Sequence, residues 1–485
     1  MRRPSQHLSS AVLAAAPIPA ALRAVLCLMA ALAAWTNAAP AATPGGPHEL
    51  LPTYSRVTLS NGLTLLLLEH HELPIVDFEL LVRAGSIADP PGKEGLADLT
   101  LSLLRKGTAQ RNAEQIADEL DFLGGTLDLQ ADYEYCGVSA EFLAKDINPG
   151  LGLLADILRH PTFPDDEVRK QIDLNVNGIR ERKDNPRQVV GDYYDGFLFA
   201  GHPFGRPVRG TETSQAALTR ADVQQFYSTW VRPNAAILAV AGDFDADAMR
   251  ARIENVLGAW EQQPFKTPAA TAPKPFKGRK VLLVDKPDAS QTYFRLGNVG
   301  VAKGTPDEPA LDVVNTVFGG RFTSWLSTEL RIKSGLTYNA GSRFVERRVP
   351  GSFFISSFTR TADTEKAVDL ALQVLDRLHR QGLSDQELDS ARNYIRGQFP
   401  PGYETPGQLA AAMVELEFYG LDRAYINEHT RRTDAVTLAD AKRVVAGHYP
   451  AKDLAIVLVG QAAKVKPVAA KYGPVTEKNI TAPGF

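Results

Sequence analysis

Short runs of apolar residues and stretches of helical periodicity follow one another along the first part of the chain. Runs that end in turn residues predict strands over residues 57–59, 63–68 and 76–83. Apolar stripes at helical spacing, with suitable residues at their ends, predict helices over residues 94–106, 113–123 and 165–182. Helices and strands mix here without strict alternation, which favours an α+β sandwich over a doubly wound parallel sheet.

One pattern occurs twice in the chain. A Thr-x-Ala-Asp segment at Thr219 leads through a helical stretch to an apolar strand ending at Gly242. The same segment at Thr437 leads to an apolar strand ending at Gly460, an offset of 218 residues at both ends. Because equal spacing at both ends is hard to obtain by chance, the chain is predicted to contain two copies of one α+β unit.

A linker separates the two copies. Residues 263–280 are rich in Pro, Ala and Lys and lack hydrophobic periodicity, which indicates an extended connection. We therefore predict one domain over residues 50–262, called the first half below, and another over residues 281–485, called the second half.

The first forty residues have the pattern of a secretory signal. Arg2, Arg3 and Arg23 precede an apolar run over residues 24–35, and small residues follow it. The run is shorter than the roughly 18 residues that a bilayer span requires. Residues 1–39 are predicted to be a signal peptide that leaves no membrane anchor after cleavage. The protein is expected in the periplasm of a Gram-negative host.

Composition and charge narrow the classes of protein that remain. The 485 residues are 44% hydrophobic and 22% charged, which excludes disorder for most of the chain. The formal net charge of -3 implies no domain-sized basic surface, so nucleic acid is not an expected partner. Two cysteines, Cys27 and Cys136, are too few for a disulfide scaffold, and Cys136 is expected as a buried small hydrophobe.

Several segments resemble one family of peptidases. The segment GSIADPPGKEGLADLTLSLLRKGT from Gly85, HPFGRPVRGT from His202 and FGGRFTSWLSTELRIKSGLTYNAG from Phe318 are similar to the insulinase-like (M16) peptidases, which include pitrilysin and the mitochondrial processing peptidase. The resemblance covers nearly all of the chain after the signal. It implies two homologous αβ sandwich domains of the LuxS/MPP-like metallohydrolase fold, meeting a similar pair around a cavity in which unfolded peptides are cut.

The chain departs from this family at the zinc site. Active members carry H-x-x-E-H on the helix after Gly85, with two His ligands and a catalytic Glu. This chain has Asp98, Leu101 and Ser102 at those positions, and the third ligand falls near Asn177 and Gly178, neither of which is a carboxylate. A leucine side chain can neither bind zinc nor move a proton. The sequence therefore predicts no metal in this chain, with zinc expected in a partner.

No other catalytic centre is visible in the sequence. None of the nine histidines stands three or four residues from another, as a helical metal pair would require. The cluster over residues 69–72 lies between two apolar strand patterns, which favours a solvated turn over a metal site. Neither a G-x-S-x-G motif nor a phosphate-binding loop is present.

The second half keeps another part of the family's site. The resemblance implies that Arg331 and Tyr338, with six residues between them, stabilise the transition state. In similar two-chain bacterial enzymes the zinc-less subunit supplies this pair to the zinc-bearing one. Spacing alone leaves a purely structural role open for both residues. Gly319, Gly320 and Phe322 resemble the family's substrate-side loop, and an ordinary helix start explains them equally well.

These observations predict a zinc-less M16-type subunit that forms a heterodimer with an H-x-x-E-H subunit and acts on unfolded peptides. In this interpretation Arg331 and Tyr338 are its catalytic contribution, and the chain is inert alone. One alternative is a peptide-binding scaffold with no catalytic contribution. Another is an independent metallopeptidase with unrecognised ligands.

Overall fold

The computed structural model of the chain describes residues 49–485. The predicted signal peptide over residues 1–39, including Cys27, lies outside these described residues. Within the described part, no helix combines the length and the apolarity that crossing a bilayer requires.

The first half is built on a six-stranded mixed sheet with strand order β1-β2-β6-β3-β5-β4. Strands β2 and β6 pair in parallel, whereas the other neighbours are antiparallel. The strands are β1 (Ser55–Thr58), β2 (Thr64–Glu69), β3 (Ile75–Val82), β4 (Thr126–Ala131), β5 (Cys136–Leu143) and β6 (Ala236–Gly242). The helices are α1 (Leu96–Leu103), α2 (Ala113–Leu123), α3 (Ile147–Arg159), α4 (Asp165–Asp184), α5 (Pro186–Leu198), α6 (Glu212–Ala216), α7 (Arg220–Trp230) and α8 (Ala246–Leu257).

The second half repeats this plan with strand order β12-β7-β11-β8-β10-β9. Its strands are β7 (Arg279–Asp285), β8 (Gln291–Val299), β9 (Ala340–Val345), β10 (Ser352–Arg360), β11 (Leu454–Gly460) and β12 (Val475–Asn479). Its helices are α9 (Glu308–Asn315), α10 (Trp325–Ser327), α11 (Thr364–Gln381), α12 (Asp385–Gln398), α13 (Pro406–Tyr419), α14 (Ala424–Asn427), α15 (His429–Asp434), α16 (Leu438–His448) and α17 (Ala462–Ala469). Short π-helical turns cover Thr316–Gly320 and Thr328–Lys333.

The duplicated sequence pattern folds into equivalent elements. Helix α7 leads to central strand β6, and helix α16 leads to central strand β11. Thr219 and Thr437 cap these two helices in the same way, each exchanging hydrogen bonds with an aspartate three residues later. The α+β architecture of two homologous domains is thus confirmed.

One helix of each half packs on the sheet of the other half. Helix α13 of the second half packs on β3 and β6, where its Leu409 and Met413 are buried against Ile237 and Ala239. Helix α5 of the first half packs in the same manner on β8 and β11 of the second. Because both sheets are covered by a helix from the opposite half, residues Leu50–Phe485 form one compact unit.

The helix predicted over residues 94–106 begins slightly later than expected, at Leu96. The carboxylate of Asp89 accepts hydrogen bonds from the backbone N–H groups of Gly95 and Ala97, both at 2.9 Å, and so satisfies donors that the helix leaves free. A 3₁₀ turn over Leu104–Lys106 then completes the element. The cap fixes where this helix starts and how its faces are oriented.

Cys136 is buried, as the sequence predicted. It lies in β5, is fully buried and has no disulfide partner among the described residues. Burial also raises the pKa of its thiol well above the ordinary value, which makes the thiol unreactive.

Candidate functional site

Helix α1 presents two of the three altered motif positions to a cavity. Asp98 and Ser102 lie one turn apart and line a cavity of about 630 Å³, together with edge strand β4 and helix α4. Gly178 of α4 lines the same cavity. The fold therefore brings together the positions that carry zinc ligands in active members of the resembled family, although the residue types differ.

The third altered motif position, Leu101, does not line this cavity. Leu101 is 2% exposed and belongs to the hydrophobic core of the first half. The hydroxyl of Ser102 already has a hydrogen-bond partner, because it donates to the backbone oxygen of Asp98 at 2.9 Å. Neither side chain can activate water in this arrangement.

Two arginines give the cavity its electrostatic character. Burial raises the pKa of Asp98, while the nearby guanidinium groups of Arg209 and Arg182 act in the opposite direction. Arg182 also donates to Asp192 at 2.6 Å and to the backbone oxygen of Gln188 at 2.9 Å. Neither arginine was predicted as a site residue from the sequence, although Arg209 lies in the family-like segment HPFGRPVRGT that begins at His202.

The residues around Asp98 do not fit a zinc site. Structural and catalytic zinc sites use at least three protein ligands of the His, Cys or carboxylate type. Across residues 49–485, no group of three or more such side chains is arranged to hold a metal ion. The cluster over residues 69–72 forms an exposed turn in which His71 pairs with Asp243 at 2.7 Å.

The structure brings Arg331, Tyr338 and Phe322 together in the second half. The guanidinium carbon of Arg331 lies 4.5 Å from the ring centre of Phe322 and 4.4 Å from that of Tyr338. These distances are typical of cation–π contacts. We call the three residues the Arg331 cluster.

The polar groups of this cluster are available to a ligand. Within the described residues, no hydrogen bond or ion pair joins the guanidinium of Arg331 to another side chain. Tyr338 is 74% exposed, and Phe322 is 61% exposed. A guanidinium held by aromatic rings keeps its N–H donors free, so the cluster can donate hydrogen bonds to an incoming oxygen atom.

Backbone crowding explains the glycines upstream. A Cβ atom at Gly319 would lie 2.2 Å from the hydroxyl of Ser342 and 2.5 Å from its backbone nitrogen. Gly319 therefore lets the π-helical turn approach edge strand β9. Gly320 and Phe322 line a second cavity, and a new helix begins only at Trp325, capped by Ser324. The segment is thus a cavity-lining loop followed by a helix start.

The two cavities belong to different halves. All residues that line the cavity at Asp98 come from the first half, and all that line the cavity at Phe322 come from the second. The positions of the lost zinc ligands and the donors of the Arg331 cluster therefore do not share one cavity within this chain.

Comparison with known proteins agrees with this architecture. The family model described as Insulinase (Peptidase family M16) matches residues 65–212, and the model described as Peptidase M16 inactive domain matches residues 217–395. An uncharacterized zinc protease of Mycobacterium bovis is 27% identical over 427 residues, covering 87% of this chain and 96% of its own. One of Mycobacterium leprae is 29% identical over 392 residues, with coverages of 79% and 86%.

Solved structures show the same fold. The crystal structure of a peptidase M16 inactive domain from Pseudomonas fluorescens has a TM-score of 0.80 and 25% identity, covering 84% of this chain and 98% of that chain. A protease from Helicobacter pylori has a TM-score of 0.78 at 20% identity, with coverages of 84% and 100%. Fold, duplicated halves and sequence relationship together define a two-domain protein of the M16 class. The chain belongs to the M16 peptidase family.

Proposed function

We propose that this protein is the zinc-less subunit of a periplasmic M16 metalloendopeptidase and pairs with a zinc-bearing subunit of similar fold. Its relatives are described as zinc proteases, whereas its own residues at Asp98, Leu101 and Ser102 do not fit a metal site. The proposed substrate is an unfolded peptide. The partner would supply the zinc, and this chain would supply hydrogen-bond donors.

The availability of the Arg331 donors is the observation that carries the proposal. When a peptide bond is attacked by water, negative charge develops on the carbonyl oxygen. The guanidinium of Arg331 and the hydroxyl of Tyr338 lie on one exposed surface, and the guanidinium has no competing polar partner among the described residues. Such preorganised donors stabilise the transition state more than the ground state.

Kinetics of a reconstituted pair test the proposal. The partner to be sought is an H-x-x-E-H chain encoded by a neighbouring gene, and its co-purification with this chain would provide the pair. Tyr338→Phe removes the hydroxyl and keeps the ring, so it is expected to lower kcat about a hundredfold or more with little change in KM. Tyr54→Phe, at a half-buried tyrosine outside the cluster, serves as the matched control. Full activity of the Tyr338→Phe pair would refute the catalytic role.

The cavity of about 630 Å³ at Asp98 favours a second candidate, a peptide-binding scaffold. This cavity keeps the place of the family's zinc site and offers polar groups without a metal. A scaffold predicts that Tyr338→Phe leaves kcat unchanged while deletion of the whole chain weakens substrate binding. The remaining alternative is that this chain is itself a metallopeptidase. Zinc analysis of the single chain, first treated with a chelator and then refilled with zinc, tests it, since only that alternative predicts stoichiometric metal.

A further inference from the structure

The cavity beside the Arg331 cluster has an unusual charge. It measures about 650 Å³ and is lined by the loop over residues 319–322, by edge strand β9 and by Tyr394 of α12. The charged side chains that line it are Arg321 and Arg343, and no Asp or Glu is among its lining residues. Arg331, 4.5 Å from the ring centre of Phe322, adds a third cation next to this lining residue.

None of these three arginines has an acidic partner in the part of the chain that the structure describes. Arg321 donates to the hydroxyl and the backbone oxygen of Ser390, at 3.0 and 3.3 Å, and its buried Nε atom has no hydrogen-bond partner. Within residues 49–485, no ion pair involves Arg343 or Arg331. Many other arginines of these residues pair with a carboxylate, as Arg111 and Arg348 do.

The positive charge is not a consequence of the fold. The cavity at Asp98 occupies the equivalent place in the first half, beside edge strand β4 and helix α4, and its lining balances Asp98 and Glu181 against Arg182 and Arg209. The two cavities therefore have similar volumes and equivalent places in the fold but differ in charge. A ligand that both halves held in the same way would not account for this difference.

The acidic groups of an adjoining cavity form no ion pair with these arginines within the described residues. This cavity of about 450 Å³ shares Arg343 and Tyr394 and contains Asp312 and two further carboxylates, those of Glu308 and Glu346. Lys303 lies 3.9 Å from each of these two carboxylates, and burial raises the pKa of Glu346 to about 8. Both carboxylates are thus placed against Lys303, and no ion pair within the described residues compensates the charge of Arg343.

We propose that this cavity binds a carboxylate of the peptide substrate, either an acidic side chain or the C-terminal carboxylate. Guanidinium groups bind carboxylates through charge-assisted hydrogen bonds. Edge strand β9 lies alongside, where an extended peptide can add its backbone, and the exposed rings of Phe322 and Tyr394 offer apolar contact. The inference rests on the proposed function in that it names the peptide this chain would present to the site.

Calorimetric titration of the purified single chain tests the inference without the partner. Three short, unlabelled, unstructured peptides are compared at low salt: one amidated with two Glu residues, one amidated with Gln in their place, and the Gln peptide with a free C-terminus. A carboxylate that is bound should tighten binding about tenfold, which corresponds to about 1.4 kcal/mol. The peptide that gains affinity identifies the source of the carboxylate, and either result supports the proposal.

Matched variants locate the effect. Arg343→Gln is expected to remove the preference for the carboxylate peptide, and Arg321→Gln to reduce it. Arg252→Gln, at an exposed arginine of α8 in the first half, should keep the full preference. Arg343→Lys, which retains charge but not the guanidinium geometry, should be intermediate, and thermal unfolding verifies that each variant is folded. Equal binding of all three peptides, or a preference that survives Arg343→Gln, would overturn the inference.

The experiments distinguish failure of this inference from failure of the proposed function. If the chain prefers carboxylate peptides but Tyr338→Phe leaves the reconstituted pair fully active, the catalytic role fails and the binding site stands. If the pair depends on Tyr338 while all three peptides bind the single chain equally, the catalytic role stands and the binding site fails.

Discussion

Phe322 should act as a positioning residue for Arg331. Its ring contacts the guanidinium and is mostly exposed, so its replacement removes a contact without opening the core. Phe322→Leu keeps apolar volume and abolishes the π face, whereas Phe322→Trp offers the ring that binds cations best. The pair of variants separates the aromatic contact from simple bulk.

The size of the effect follows from the geometry of the cluster. Each cation–π contact at an exposed site contributes about 0.5–1 kcal/mol. Arg331 has two such contacts, at 4.5 and 4.4 Å, and Phe322→Leu removes one of them. The lost restraint of about 0.5–1 kcal/mol corresponds to about a two- to fivefold fall in kcat. Arg331→Gln removes the donor itself and should cost about a hundredfold or more.

Steady-state kinetics of the reconstituted pair measure these effects. A substrate without acidic side chains and with an amidated C-terminus isolates catalysis from carboxylate binding. We expect kcat to follow the order Trp, Phe, Leu at position 322, with KM changing less than kcat and the unfolding temperature nearly constant. If Phe322→Leu retained full kcat while Arg331→Gln lost it, the ring would have no positioning role.

Three further predictions concern stability. Leu101→Glu should lower the free energy of unfolding by at least about 3 kcal/mol, because a buried apolar side chain is replaced by an unpaired carboxylate. Urea denaturation measures this loss, with Leu101→Met as the control. Burial raises the pKa of Asp77 to about 6 and the pKa of Glu79 to about 7. Because the folded protein then holds protons that the unfolded chain releases, the free energy of unfolding should fall as pH rises from about 4 to about 7. Asp77→Asn should therefore raise the unfolding temperature more at pH 8 than at pH 5. Met413→Ala should cost about 2–5 kcal/mol and speed hydrogen exchange in β6, since helix α13 covers the sheet of the first half, and unchanged exchange there would contradict the exchanged-helix arrangement.

Local sequence patterns were sufficient for much of the fold. The predicted helix over residues 113–123 coincides with α2, because its capping box at Asn112 and the glycine after Leu123 are both written in neighbouring residues. Helix α1 began later than predicted, because its cap comes from Asp89, outside the helix and ahead of an intervening turn. Boundaries set by adjacent residues were predictable, and the boundary set by a returning side chain was not.

In the candidate site, residue types could be predicted from the sequence, whereas contacts between side chains could not. The residue types at positions 98, 101 and 102 do not make a catalytic zinc site whatever the fold, because both imidazoles and the catalytic carboxylate are absent and Asp98 alone offers a carboxylate ligand. Phe322 and Arg331 come into contact across a loop and a helix start although nine positions separate them, and Arg209 lies near Asp98 although 111 positions separate those two. No periodicity or motif brings such pairs together, so only packing revealed them.

By itself the sequence determined that the chain is duplicated, that its first copy lacks the chemistry of a zinc peptidase and that its second copy keeps an Arg and a Tyr at fixed spacing. These are properties of residue identity and interval, which survive any arrangement in space. The tertiary structure decided which helix covers which sheet, which donors stay free and which of two equivalent cavities carries net positive charge. Such properties arise from contacts between distant segments, where the burial of apolar surface selects the packing and the packing then sets the surroundings of each polar group.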